Sequence, residues 1–194
     1  MAKFFKLIIR KIIENIFHLY YIIIHRIKVE GRQNVPKDGT IIFCANHKSF
    51  LDPPLIKVTA KREMYFLAKK SLTKNPLLRF LGWVFDVMLV TPEAKDTTAI
   101  KESLKHLKKG ECIALFPEGT RNGISKGEKV KDGAAFFALR TGAKVVPIGI
   151  SGNAKFLSKL TIRYGKPLDF SSYNKEDVEE VTKIIMDNIL ELAK

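Results

Sequence analysis

The chain has 194 residues, of which 46% are hydrophobic and 28% are charged, so it is neither a disordered nor a collagen-like chain. Lys and Arg total 34 against 20 Asp and Glu, which gives a formal net charge of +14. Such a basic balance predicts a polyanionic partner, which could be nucleic acid, an anionic membrane surface or a phosphorylated substrate.

The segment 1–28 is strongly apolar, and basic side chains interrupt mainly its first half. A signal peptide is not expected, because no small-residue cleavage site follows the apolar stretch. The cleanest apolar run, 16–24, is shorter than the roughly 20 residues that a membrane-spanning helix needs. We therefore predict that 1–28 forms one or two amphipathic helices that anchor the chain in a membrane interface. The alternative is a helix packed against the domain as part of its core.

From residue 29 onward, short apolar runs alternate with amphipathic stretches. Strands are predicted at 40–45, 64–68, 111–116, 145–150 and 161–164, and helices from residue 52, over 96–109, over 132–140 and over 174–192. In the helix over 96–109, Ile100, Leu104 and Leu107 lie on one apolar stripe. Strands that alternate with helices predict an α/β fold, here a single layered sheet-and-helix domain over 29–194.

Polar residues mark two loops that follow predicted strands, where ligands of open α/β sheets usually bind. In the first loop, His47 and Asp52 are five residues apart. Asp52 before Pro53 is typical of an N-cap followed by proline at the first helical position. The Asp52 carboxylate could also bind one ring nitrogen of His47, so that the other nitrogen acts as a general base. The alternative is that Asp52 only caps the helix and His47 is an incidental loop histidine.

No serine or cysteine is placed as a nucleophile beside this pair. This favours a reaction in which His47 activates a substrate hydroxyl directly, without a covalent enzyme intermediate. A metal site is not expected, since the remaining histidines show no ligand spacing: His18, His25 and His106.

The second loop, 116–121, contains Glu118-Gly119-Thr120-Arg121 and is followed by lysines at 126, 129 and 131. Gly119 lets the backbone turn sharply, and the planar guanidinium of Arg121 matches phosphate oxygens. The glycine and lysine spacing of a Walker-type loop is missing. The alternative is an ordinary surface turn, since Gly-Thr-Arg is common in such turns.

Three segments together resemble the 1-acylglycerol-3-phosphate acyltransferase family: NHKSFLDP at 46–53, FPEGTR at 116–121 and VVPIGI at 145–150. The resemblance covers about residues 29–150 and includes the order and separation of the segments. It implies transfer of a fatty acyl group to the free hydroxyl of lysophosphatidic acid, giving phosphatidic acid. The implied acyl donor is an acyl carrier protein or coenzyme A thioester, with no further cofactor and no metal.

The resemblance also implies roles for individual residues. His47 matches the family's general base, Asp52 the carboxylate that orients it, and Lys69 a lysine near the developing oxyanion. The implied substrate-binding residues, which include the acceptor-phosphate block, are Asn46, Ser49, Glu118, Gly119, Thr120, Arg121, Lys131 and Pro147. Within this set, Arg121 and Lys131 are expected to bind the phosphate, and Pro147 to shape the acyl site.

One segment departs from the family pattern, in which a glycine-aromatic stretch before the FPEGTR segment ends in arginine. Glycine and aromatic residues are present at 82–85, but no arginine occurs between Arg79 and Arg121. Lys95 is the nearest basic residue downstream. The acceptor could therefore be another lysolipid or a hydroxylated lipid.

A function of a different class, a basic nucleic-acid-binding module, also fits the charge. Aromatic residues are not interleaved with the basic ones, as a stacking platform for bases requires, so no nucleic-acid partner is expected. We expect instead an anionic membrane surface and a lysophospholipid acceptor as partners. The protein is then peripheral or monotopic on the cytoplasmic face of the cell membrane.

Overall fold

A mixed sheet with helices on both faces organises the chain. The computed structural model describes residues 2–91, 97–152 and 157–194. The helices are α1 (Ala2–His25), α2 (Asp52–Ala60), α3 (Pro76–Val84), α4 (Thr98–Lys108), α5 (Gly133–Thr141) and α6 (Val178–Leu192). The strands are β1 (Lys28–Glu30), β2 (Ile41–Ala45), β3 (Met64–Lys69), β4 (Met88–Val90), β5 (Cys112–Leu115), β6 (Lys144–Gly152) and β7 (Leu160–Tyr164).

Within the described residues the sheet has seven strands in the order β1-β7-β6-β2-β5-β3-β4. Neighbouring strands pair in parallel, except that β6 and β7 are antiparallel. The carboxyl ends of β2, β5 and β3 therefore meet at one edge of the sheet. The α/β class predicted from the sequence is confirmed, and each predicted strand and helix is present. The sequence did not predict the short strands β1 and β4 or the helix α3.

The central strand β2 is buried on both faces of the sheet. Ile41, Phe43 and Ala45 face a hydrophobic cluster shared with α1 and α2, whereas Ile42 and Cys44 face a cluster shared with α5 and α6. A continuous apolar run is what a parallel strand covered on both sides needs. The first polar loop therefore starts from a strand whose position is fixed by packing on both sides.

The N-terminal segment forms one helix, α1, which packs on α2 and α3. Its inner face enters the core, where Tyr21 is completely buried. Its outer face exposes large apolar side chains: Phe4, Phe5, Leu7, Ile8, Ile12, Ile16, Leu19, Ile22 and Ile23. The helix is thus part of the core on one side and uncovered on the other, and the division of the chain at residue 28 remains a prediction. In the part of the chain that the structure describes, no helix is long and apolar enough to cross a membrane.

Ionic contacts fix the polar side of α1 to the domain. Arg10 donates to the carbonyl oxygen of Val84 at 2.7 Å and pairs with Asp86, which follows α3. Lys6 pairs with the same carboxylate. Partial burial acts to raise the pKa of Asp86, but the hydrogen bonds from Lys6 and Arg10 lower it overall. The carboxylate therefore keeps its charge, and α1 is attached at its polar side as well as through the core.

The apolar stripe of α4 is only partly buried. In α4 the fully buried positions are Ala99, Ser103 and Leu107, whereas Ile100 is 39% exposed. Ser103 can be buried because its hydroxyl donates to the carbonyl oxygen of Ala99 at 2.7 Å. Leu107 and the partly buried Leu104 pack on the core cluster, whereas Ile100 faces solvent.

The last helix begins later than the predicted start at residue 174. Asp177 is the N-cap residue of α6, and its carboxylate accepts a hydrogen bond from the Asn174 backbone N–H at 2.7 Å. This bond stabilises a turn over 174–177 in place of a helical turn. The acidic residues in the first turn of α6 are therefore Glu179 and Glu180, where the helix dipole favours them.

Candidate active site

His47 and Asp52 meet at the carboxyl end of β2. The His47 Nδ1 atom lies 2.9 Å from Asp52 Oδ2. The same carboxylate oxygen accepts the backbone N–H groups of Lys48 at 2.6 Å and Ser49 at 2.7 Å. Asp52 is buried, so these donors replace the water that the carboxylate has lost. The predicted contact between the carboxylate and one ring nitrogen of His47 is present.

The predicted N-cap role of Asp52 was wrong. Leu51 is the N-cap residue of α2, and Asp52 is the first helical residue. The Asp52 side chain turns back onto the loop over 47–49 instead of capping the helix, because three donors converge on it there. The carboxylate therefore holds the backbone of the loop and the imidazole of His47 in position.

The geometry leaves one nitrogen of His47 available for chemistry. A carboxylate at Nδ1 favours the tautomer that has its proton on Nδ1 and an open lone pair on Nε2. Nε2 has no hydrogen-bond partner among the described residues, and the side chain is 16% exposed. The ring stacks on Phe116 with centroids 4.1 Å apart, which fixes its plane. An imidazole of this kind can take a proton from a hydroxyl.

The second polar loop is hydrogen-bonded to the backbone of His47. The buried carboxylate of Glu118 accepts the His47 backbone N–H at 2.9 Å and the Ile124 N–H at 3.3 Å. The Asn122 N–H donates to the His47 carbonyl oxygen at 2.6 Å. Glu118 therefore joins the two loops, and its carboxylate is occupied by backbone donors. Its predicted place in a substrate-binding block stays a prediction.

Two glycines allow this second loop to fold closely. Gly119 has a φ of +66°, a left-handed conformation that glycine adopts without strain. A Cβ atom on Gly123 would lie 2.6 Å from the Glu118 carbonyl oxygen, so a larger residue would displace Glu118. The turn at Gly119 was predicted from the sequence. Gly123 was not, because its φ is ordinary and its role depends on a tertiary contact.

Arg121 lies beside the first loop through an aromatic contact. Its guanidinium stacks over the Phe50 ring at 3.7 Å from the centroid, and both side chains are exposed. Stacking orients the planar fork while its edge donors stay available. The Lys131 N–H donates to the Pro117 carbonyl oxygen at 2.8 Å, so the backbone of Lys131 is attached to the start of the same loop. The Lys131 side chain lies against Gly119, where an added Cβ atom would be 3.2 Å from Lys131 Cγ, and a phosphate site shared by Arg121 and Lys131 stays a prediction.

Three predicted substrate-binding residues make local contacts. The buried Asn46 side chain donates to the Ile150 carbonyl oxygen at 2.9 Å and accepts its N–H at 2.7 Å, which ties β2 to β6. The Ser49 hydroxyl accepts the Leu51 N–H at 3.2 Å. Thr120 donates to the Arg121 carbonyl oxygen at 3.4 Å. These contacts position the loops, and direct substrate contacts by these residues stay predictions.

Lys69 and Pro147 lie apart from the His47 side chain. Lys69 is exposed at the carboxyl end of β3, at the same sheet edge as His47 but separated from β2 by β5. Pro147 is buried in the middle of β6 and pairs with Cys44. A Cβ atom at Gly165 would touch both Pro147 and Leu192, so Pro147 faces α6. The acyl-site role of Pro147 stays a prediction, and the structure places Pro147 on the sheet face opposite α1 and α2.

The segment without the family's arginine forms the end of α3 and the residues after it. Trp83 is exposed there, with the Lys6 Nζ atom 5.2 Å from its ring centroid. Lys95 lies outside the described residues. Within those residues, no group of three or more metal-ligating side chains is assembled.

Three further residues reach the site through tertiary contacts and were not predicted from the sequence. Phe116 supports the imidazole, Phe50 supports Arg121, and Tyr21 donates to the Leu51 carbonyl oxygen at 2.5 Å. Phe50 and Phe116 lie inside the two recognised segments, so proximity in the sequence was a usable signal. No sequence signal pointed to Tyr21, because it lies on α1 and reaches the loop only in the folded chain.

The known proteins that this chain resembles in sequence and in structure are acyltransferases. Residues 26–151 match the acyltransferase family. One relative is the 1-acyl-sn-glycerol-3-phosphate acyltransferase of Borreliella burgdorferi, which is 28% identical over 85% of this chain and 70% of the relative. Another is the enzyme of the same name from Bacillus subtilis, which is 28% identical over 86% of this chain and 87% of the relative. The crystal structure of the 1-acyl-sn-glycerophosphate acyltransferase from Thermotoga maritima is similar with a TM-score of 0.74, at 25% identity over 98% of this chain and 81% of that chain. The family match covers well over half of the chain, so the chain belongs to the acyltransferase family, as the three segments predicted.

Proposed function

We propose that this chain transfers a fatty acyl group from an acyl thioester to the free hydroxyl of lysophosphatidic acid, giving phosphatidic acid. The observation that carries this proposal is the His47–Asp52 contact of 2.9 Å at the end of β2. It supports direct activation of an acceptor hydroxyl. The relatives from Borreliella burgdorferi and Bacillus subtilis carry the name of this activity.

In the proposed mechanism His47 Nε2 takes the proton of the acceptor hydroxyl while the hydroxyl oxygen attacks the thioester carbonyl carbon. The new C–O bond gives a tetrahedral oxyanion, which is stabilised by nearby backbone amides or by Lys69 reaching along the same sheet edge from β3. The C–S bond then breaks, and His47 returns the proton to the departing thiolate. Asp52 keeps the Nδ1 proton in place and stabilises the imidazolium. No metal or cofactor takes part, and the donor is an acyl carrier protein or coenzyme A thioester.

The experiment that tests this function measures release of free thiol from an acyl thioester with and without lysophosphatidic acid. We expect release that depends on the acceptor, and phosphatidic acid as the lipid product. Dependence on a different lysolipid would support the alternative acceptor suggested by the missing arginine. Nucleic-acid binding without any acceptor-dependent thiol release would reject the enzyme.

The acceptor phosphate is proposed to bind at Arg121. Arg121→Lys should lower kcat/KM for lysophosphatidic acid by at least about tenfold, because a lysine ammonium cannot reproduce two parallel charged hydrogen bonds. The measurement compares lysophosphatidic acid with an uncharged lysolipid. Arg140 is a matched control, since its guanidinium also lies over a phenylalanine ring, Phe136 at 4.4 Å. Equal losses on both acceptors would mean that Arg121 organises the loop and does not bind phosphate.

The outer face of α1 is proposed to lie in the interface of an anionic membrane on the cytoplasmic side. The exposed apolar row of α1 continues on α3, which contacts α1 and exposes Leu77, Phe80 and Trp83. Basic residues border this surface, including Lys6 beside Trp83. Apolar burial together with attraction to anionic lipid binds such helices in the plane of the interface.

Changes on that face should release the protein from vesicles. The double variant Ile16→Glu with Leu19→Glu removes two exposed apolar side chains and should weaken binding to anionic vesicles by at least about tenfold. Ile100→Glu is the control, because Ile100 is an exposed apolar residue on α4. Vesicle co-sedimentation at low salt measures the effect. The anchor is refuted if the double variant and the Ile100→Glu control bind equally well.

A further inference from the structure

The membrane-facing helix α1 also reaches the loop that carries the His47–Asp52 pair. Tyr21 is completely buried on the inner face of α1, and its hydroxyl donates to the Leu51 carbonyl oxygen at 2.5 Å. Leu51 is the N-cap residue of α2 and directly precedes Asp52. One side-chain bond therefore joins the helix near the start of the chain to the peptide that carries Asp52.

The Leu51 peptide is fixed by further contacts. Its carbonyl oxygen also accepts the Leu55 N–H at 3.1 Å, and its N–H, which is that of Asp52, donates to the Ser49 carbonyl oxygen at 3.2 Å. Rotation of this peptide would swing the Asp52 carboxylate relative to the imidazole 2.9 Å away. Among the hydrogen bonds that the described residues make to this peptide, the Tyr21 bond comes from a different helix, and it opposes that rotation.

Tyr21 is suited to be a permanent donor. Burial raises the pKa of its hydroxyl well above the usual value for tyrosine, and the nearby Asp52 carboxylate raises it further. The hydroxyl therefore stays protonated at neutral pH. Its ring also packs against Phe17 and Tyr20, which leaves the hydroxyl little freedom to move.

We propose that Tyr21 is a positioning residue for acyl transfer: its hydroxyl fixes the turn at Leu51 so that Asp52 stays in register with His47. The inference rests on the proposed function of the His47–Asp52 pair. Tyr21 touches neither substrate nor the reacting atoms and acts only through Leu51 and Asp52. It also makes α1 part of the active-site scaffold as well as the proposed membrane anchor.

The neighbouring Tyr20 supplies a matched control. Its hydroxyl lies 3.2 Å from His25 Nε2, so it bonds at the end of α1 and not to the catalytic loop. Tyr20→Phe and Tyr21→Phe each remove one hydroxyl from the same helix and leave both aromatic rings in place. A difference between the two variants therefore reports on the Leu51 contact and not on α1 in general.

The test compares full-length wild type, Tyr21→Phe and Tyr20→Phe on the same anionic vesicles. We expect Tyr21→Phe to lower kcat by about tenfold, because small displacements of catalytic groups cost large factors in rate. The KM values for donor and acceptor, vesicle binding and Tm should stay close to those of Tyr20→Phe. In proton NMR, the low-field resonance of the His47 Nδ1 proton, identified by its loss in His47→Ala, should shift or broaden in Tyr21→Phe only.

The outcomes separate this inference from the proposed function. If wild type releases no thiol with lysophosphatidic acid, the proposed substrate is wrong, and the NMR comparison still decides whether Tyr21 positions the pair. If Tyr21→Phe keeps wild-type kcat and an unchanged resonance, the inference is wrong. It is also wrong if Tyr21→Phe fails to fold, or if both variants lose activity equally, because the hydroxyl then serves the fold alone.

Discussion

Replacing His47 with alanine should lower kcat by about 10²–10⁴-fold, the usual contribution of a general base. The acceptor hydroxyl then has to lose its proton to water, while the loop stays closed because Glu118 and Asn122 bind the backbone of residue 47 and not its side chain. Acceptor-dependent thiol release measures kcat. Thermal unfolding of the variant should be close to that of wild type, which shows that activity is lost and the fold is not.

The chain contains its own control for this substitution. His106 and Glu111 are also a histidine and a carboxylate five residues apart, with Nδ1 and Oε2 separated by 2.5 Å. The His106 ring packs against Tyr65 with a centroid distance of 3.9 Å and the ring planes tilted by 31°; since Tyr65 is near the start of β3, His106 lies at the amino edge of the sheet. His106→Ala should leave kcat near wild type. Direct transfer by His47 would be rejected if a kinetically competent acyl-protein intermediate were trapped.

These two pairs explain what the sequence could predict about the site. The spacing of five residues recurs at both edges of the sheet, so spacing alone does not identify a catalytic pair. The informative feature was that His47 follows a fully apolar strand, since such a strand in an α/β fold presents its carboxyl end to ligands. The same feature predicted a ligand-binding loop at Arg121, which follows the buried apolar strand β5.

The remainder of the site depends on contacts that are distant in the sequence. The spacing predicted a contact between Asp52 and His47, but nothing local to Asp52 indicated that its carboxylate would bind the backbone of Lys48 and Ser49 instead of capping the helix, because Asp before Pro is equally good as an N-cap. Tyr21 and Leu51 are joined across a separation of 30 residues, which no periodicity encodes. The strands β1 and β4 are only three residues long, too short to show alternation. Sequence patterns thus located the loops, and packing decided where their side chains point.

Asp52→Asn should also have a large effect, lowering kcat by about 10²–10⁴-fold, since the same carboxylate-to-amide change in a Ser-His-Asp triad costs about 10⁴-fold. Oδ2 of Asp52 accepts from His47, Lys48 and Ser49. An amide has one oxygen to share among these three donors, and its NH₂ group cannot accept from any of them. The amide oxygen must therefore take the place of Oδ2, and without a negative charge it binds these donors more weakly and no longer stabilises the imidazolium that forms when His47 takes the proton.

The Asp52 substitution is interpreted through kcat, KM and Tm together. The KM for the thioester should change little, because Asp52 is buried behind the imidazole and not placed to touch the donor. A modest fall in Tm is expected from the weakened bonds to Lys48 and Ser49. Glu111→Gln is the matched control, since it makes the same change in the second histidine pair. If Asp52→Asn loses only stability and keeps wild-type kcat, Asp52 organises the loop without setting the tautomer, and His47 must obtain its basicity from another group.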